Sequence, residues 1–130
     1  MKPEAKEHLL RAEKLLNAAR DLMELDYPAE SIGRSYYAMF HAATAVLLEM
    51  ALQRSPHHGL WSAFGQFVTA RGLMEVRHHH AGLRLFAARS RSEYLASPKD
   101  TRDDAERDLT TARDFIAAWP RFLEKRATTE

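Results

Sequence analysis

Apolar residues recur at intervals of three and four along the whole of this chain, and no stretch alternates apolar with polar at every second position. That spacing keeps one side of a 3.6-residue helix apolar and cannot do the same for a strand, so it confines the chain to helices. Leu9, Ala12, Leu16, Ala19 and Met23 form a first stripe, and Ile32, Tyr36, Met39, Ala43, Val46 and Met50 a second. Leu60, Phe64, Phe67 and Val68 form a third, and Val76, His80, Leu83, Ala87 and Tyr94 a fourth. The fifth comprises Ala105, Leu109, Ala112, Ile116 and Trp119.

The five glycines and five prolines fall mostly between these stripes. The first helix is predicted from about Pro3 to Leu25, ended by Asp26, Tyr27 and Pro28. Pro28 suits the first turn of a second helix running to about Leu52, because a proline there loses no hydrogen bond. Ser55 and Pro56 start the third helix and Arg71-Gly72 ends it; the fourth covers about Leu73 to Ala96 and stops at Pro98. Thr101 and Asp104 form a capping box that opens the fifth, which Pro120 ends or kinks. The expected fold is all-α: one bundle of about five helices with short connections, a single domain over residues 1–126 with a frayed tail at 127–130.

A chain of 130 residues can bury one core without staples. With no cysteine it has neither disulfides nor thiolate metal sites, which suits a reducing cytoplasm. The charged opening Met1 to Leu10 does not read as a signal peptide, and no run approaches the length of a membrane span, so no membrane partner is expected. The net charge of +1 conceals a segregation: Arg54, Arg71, Arg77, Arg84, Arg89 and Arg91 face Glu75 alone in residues 54–91, which also hold five of the seven histidines. Such an arginine-rich segment either meets a phosphate-rich partner or is balanced by acids elsewhere in the fold.

The densest polar feature lies on the second helix. Arg34 and His41 are seven residues apart, so they share one face two turns apart, with Tyr37 between them. The run Gly33-Arg34-Ser35-Tyr36-Tyr37-Ala38-Met39-Phe40-His41-Ala42-Ala43 resembles the signature of HEPN-domain proteins, in a small bacterial and archaeal branch. Further matches follow in order: His57-His58-Gly59, Ala63 to Val68, and Arg89 to Tyr94. The resemblance spans about residues 1–125.

It implies an antiparallel bundle with a four-helix up-and-down core, forming a homodimer with a cleft at the dimer interface. Many HEPN proteins are metal-independent ribonucleases that use an arginine, then four to six intervening residues, then a histidine; Arg34 and His41, with six residues between them, would be that catalytic pair. A histidine can take the proton of a ribose 2′-hydroxyl while an arginine stabilises the charge on phosphorus. Other members pair with a small nucleotidyltransferase, often as toxin and antitoxin, and in some pairs a tyrosine near the motif receives the nucleotide; Tyr94 is the loosely matching position. Tyr37, His57, Arg89 and Tyr94 are thus candidate binding residues for RNA or a nucleotide.

Each feature has a plainer explanation. Arg34, Tyr37 and His41 could form a buried network that ties helices or protomers together, making the chain a purely structural dimer. Arg89, Glu93 and Tyr94 read as a salt bridge beside a core tyrosine. Trp61 and Trp119 read as core or interface residues. In His78-His79-His80 successive side chains point about 100 degrees apart, so they cannot all hold one ion. His79 and His80 are expected to be partly buried and His78 solvated, and no metal or cofactor is expected.

Overall fold

The computed structural model of the chain describes residues 1–52 and 57–129. The expected helix start at Ser55 and Pro56, the charge of Arg54 and the side chain of His57 lie outside the described residues. The helices are α1 (Pro3–Glu24), α2 (Pro28–Glu49), α3 (His57–Phe64), α4 (Val76–Tyr94), α5 (Arg102–Ala117) and α6 (Trp119–Thr129). A π-helical segment, Gly65–Thr69, extends α3. The described residues contain no strand, and the fold is an all-α HEPN-like bundle.

Helix α2 is the axis of the molecule, packed by α1, α3, α4 and α5. Ile32, Tyr36, Met39, Ala43 and Val46 of its expected stripe are buried, and so are Ala38, Ala42 and Ala45. These small residues, with Ala5, Ala12 and Ala19 of α1, let the first two helices approach closely. Leu9 and Leu16 flank that seam half-buried instead of forming its centre. Two side chains of the core are tied to backbone carbonyls: Ser31 Oγ donates to the Ala19 carbonyl at 2.7 Å, and Trp119 Nε1 to the Ala42 carbonyl at 3.1 Å.

Several boundaries fall close to where the local chemistry puts them. Pro28 occupies the first turn of α2, and Gly72 takes a left-handed φ of 73° beyond the third helix. Thr101 Oγ1 accepts from the Asp104 amide at 3.1 Å while Asp104 Oδ2 accepts from the Thr101 amide at 2.9 Å, completing the capping box. Thr101→Ala is expected to cost about 1 kcal/mol of stability, read as a lowered urea midpoint with an unchanged slope. At Pro120 the last helix is interrupted: Ala118 leaves the helical pattern, and α6 restarts at Trp119.

Helix α4 departs most from expectation. Val76, His80, Leu83, Ala87 and Tyr94, the expected inner face, are all exposed, Tyr94 at 80%. The inner face is instead His78, Gly82, Leu85, Ala88 and Ser92. Shape outweighs hydrophobicity here: a Cβ on Gly82 would overlap the Trp61 ring, so α4 turns its smallest residue toward its largest neighbour. His78, expected in solvent, is 2% exposed with its ring edge-on to Phe115 at 5.4 Å, while His79 is half-buried and His80 exposed.

Three arginines of the arginine-rich segment are matched by acids within the fold. Arg77 pairs with Glu75 at 3.1 Å and with Asp114. Arg84 reaches Asp108 at 2.9 Å and Thr111 at 3.2 Å, and Arg89 reaches Glu93 at 2.9 Å. Acids of α4 and α5 thus account for much of the charge the linear sequence leaves unbalanced.

Candidate functional site on the exposed face of α2

On an axis helix packed by four neighbours, one strip is left uncovered. Glu30, Arg34, Tyr37, His41, Thr44 and Leu48 follow one another at intervals of three and four and are exposed or half-buried. Arg34 and His41 therefore do share a face that solvent reaches. Two helical turns separate them by about 10 Å along the axis, so within one chain they form two neighbouring stations instead of one contact.

Arg34 is exposed and has no ion-pair partner among the described residues. It lines a cleft of about 320 Å³ between the start of α2 and the end of α4, floored by Ala29, Gly33, Leu95, Ala96 and Pro98 and flanked by Glu30 and Glu93. Glu93 of this cleft pairs with Arg89, whose guanidinium also donates to Tyr37 Oη at 2.6 Å. Tyr37 and Arg89 are thus brought together by the fold. Tyr94 stands apart at the exposed end of α4, not in the core, although the Arg89–Glu93 bridge expected beside it is present.

His41 meets α1. Its Nδ1 lies 2.9 Å from Nδ1 of His8, and burial, then His8, then Arg11 lower its pKa from the ordinary 6.5 to about 4. His41 is therefore neutral at physiological pH and can accept a proton or a hydrogen bond, which a cation cannot. Tyr36, next to Tyr37 in sequence, is unlike it: buried, accepting from Trp61 Nε1 at 3.1 Å, and pushed up to about 12 by that burial. It is a core phenol, not a nucleophile.

The lowered histidine pKa has a consequence for stability. Unfolded, His41 binds its proton near 6.5; folded, only near 4. Its contribution is fully present above the unfolded value and is lost as pH falls toward the folded one. The buried His78, also lowered by burial, acts in the same direction. Unfolding free energy measured by urea titration should fall between pH 7 and pH 4, and the slope should be shallower in His41→Gln.

His8 and Arg11 carry no signal in the sequence, since their place beside His41 is made only by the packing of α1 on α2. A second depression, about 530 Å³ between α4 and α5, is lined by Arg77, Arg84, His80 and Asp114, where the arginines already have acidic partners. Among the described residues, no three histidine or acidic side chains converge in a way that could hold a metal ion, and no helix is long and apolar enough to cross a membrane.

An all-α bundle around a central helix, with an arginine, a tyrosine and a neutral histidine on that helix's uncovered strip, defines a small helical module with a polar, solvent-reached face. The model of the HEPN domain matches residues 5–122, and the chain belongs to that family. It is 36% identical over 121 residues to a UPF0332 protein of Pyrococcus horikoshii, covering 93% of this chain and 82% of that protein. A UPF0332 protein of Gloeobacter violaceus is 42% identical over 79 residues, a match that covers 61% of this chain and 63% of that protein. A Methanocaldococcus jannaschii protein named "Putative toxin MJ0605" is 30% identical over 105 residues, covering 81% of this chain and 78% of that protein.

Proposed function

We propose that this chain is a toxin-like HEPN module that acts on RNA as a homodimer and is held in check by a protein partner, a small nucleotidyltransferase. The observation that carries this reading is the uncovered strip of α2, where Arg34 presents a guanidinium without an acidic partner among the described residues beside the half-exposed Tyr37 and His41. A free guanidinium suits a phosphate, which it can grip through two hydrogen bonds. Family membership and the toxin name of an archaeal relative point the same way. Tyr94, 80% exposed at the end of α4, is the tyrosine a nucleotide-transferring partner would reach; Tyr36 is buried and Tyr37 is tied to Arg89.

The test is induced expression in a bacterial host, with growth and total RNA followed together. Wild type is expected to arrest growth, and co-expression of a small nucleotidyltransferase to relieve the arrest and add one nucleotidyl mass, absent in Tyr94→Phe. Light scattering is expected to give twice the 14.9 kDa of one chain. Unimpeded growth with intact RNA, together with a monomer mass, would refute the proposal.

One observation favours a catalytic version, a metal-independent endoribonuclease. His41 is held neutral on the same solvent-reached face as Arg34, which is the protonation state a general base needs. Purified protein should then cleave single-stranded RNA with chelator present, and His41→Ala should not. Intact RNA after prolonged incubation with wild type would leave binding as the module's role.

A further inference from the structure

A base with a pKa of about 4 is in the right form at neutral pH but is a weak proton acceptor, so His41 alone would serve poorly. The contact with His8 answers this. The two Nδ1 atoms are 2.9 Å apart and the ring centroids 5.2 Å, with 26° between the planes. A centroid separation that large for nitrogens that close requires the rings to meet head-on through Nδ1, edge to edge. Head-on nitrogens hold one proton between them, so one ring is a donor and the other a bare acceptor.

Zinc is a poor fit for the same space. At about 2.0–2.1 Å from each nitrogen in tetrahedral geometry it would hold them about 3.3–3.4 Å apart and at an angle, and it would need further ligands. No third ligand converges there among the described residues.

We propose that His8 is the positioning residue of the α2 site: it accepts a hydrogen bond from the Nδ1 proton of His41, fixes the tautomer that leaves His41 Nε2 bare, and takes that Nδ1 proton when His41 collects another at Nε2. This rests on the endoribonuclease reading. Burial and the Arg11 charge both resist a cation on His41, and His41 is accordingly taken as the donor of the pair. The groups that press on His41 are His8 and Arg11, both from α1, and no carboxylate is among them. The other nitrogen, Nε2, has no hydrogen-bond partner among the described residues, and its ring is half-exposed on the strip that holds Arg34.

The proton balance is direct. The O–H bond of a ribose 2′-hydroxyl breaks and an N–H bond forms at His41 Nε2, with the electron pair left on oxygen. The N–H bond at His41 Nδ1 breaks and one forms at His8 Nδ1. The charge comes to rest on the half-exposed ring of His8 and leaves to water, while His41 stays neutral throughout. Neither an oxidant nor a metal takes part in this transfer.

Histidine ¹⁵N spectra of the full chain test the assignment without RNA, using His41→Gln to assign signals. Wild type is expected to carry the His41 proton on Nδ1. In His8→Gln, whose amide oxygen can still accept, that tautomer should persist; in His8→Ala it should shift toward Nε2–H. A His41 proton on Nε2 in wild type, or a tautomer indifferent to His8→Ala, would overturn the proposal.

Cleavage supplies the second readout. His8→Gln keeps the orientation but cannot take the proton. The pH of half-maximal rate should therefore fall and the plateau drop about tenfold or more, with His8→Ala lower still at an unchanged melting midpoint. Cleavage identical to wild type in both variants removes the relay and keeps the nuclease reading. An Nδ1–H tautomer in a protein that leaves RNA intact keeps the positioning role and removes the nuclease reading.

Discussion

Trp61→Ala is expected to lower the unfolding free energy by about 3–5 kcal/mol, the largest stability loss foreseen for a single side chain here. Trp61 is fully buried, packs edge-on to Phe64 at 5.6 Å and Phe115 at 6.0 Å, and donates to the buried Tyr36 hydroxyl. Truncation opens a cavity in the main core and leaves that hydroxyl without its donor. The effect is tied to Gly82, whose missing Cβ makes room for the Trp61 ring. In the wild-type background, Gly82→Ala should destabilise by about 1–3 kcal/mol because the added methyl overpacks the core. In the Trp61→Ala background the same change should stabilise, since the overlap is gone and alanine is better than glycine inside a helix by about 1 kcal/mol. Urea unfolding of the four proteins reads the sign directly; a Gly82→Ala effect that is the same in both backgrounds would mean that the two residues do not meet.

Arg34→Ala should do the reverse, abolishing the cellular RNA effect while leaving stability within about 0.5 kcal/mol of wild type. Arg34 is exposed and makes no ion pair among the described residues, so the folded state loses little when it is removed. What is lost is the group that would stabilise charge on a phosphate, an interaction that strengthens as that charge develops. Arg34→Lys keeps the charge but not the planar fork and should restore only part of the effect. The measurements are growth and RNA integrity on induction, beside a denaturation curve. An Arg34→Ala protein that unfolds early and still arrests growth would assign the residue to architecture and remove it from the site.

Arg34 and His41 illustrate how far the linear pattern reaches. Their spacing fixes a common face, because both sit on one uninterrupted helix. Whether that face is open depends on which neighbours cover α2, and nothing in the spacing says so. His8 is the clearer case. It lies 33 residues from His41 in sequence and meets it only when α1 folds back along α2. The tyrosines make the same point: Tyr36 and Tyr37 are adjacent, yet one is a core phenol and the other sits on the solvent-reached strip because successive side chains diverge around the helix.

By itself the sequence determined the helical class, the turns at Pro28 and Gly72, and the capping box at Thr101, all consequences of local backbone preference and periodicity. Its HEPN resemblance, borne by the Arg34 to Ala43 run, agrees with the family match over residues 5–122. Only the tertiary structure decided which face of α4 turns inward, which histidine of the triplet is buried, which acids neutralise Arg77 and Arg84, and what stands beside His41. Those outcomes depend on the fit of side chains between helices and on charges far apart in the chain. Gly82 shows the reason most simply: its value lies in the atom it lacks, and that becomes visible only when Trp61 fills the space.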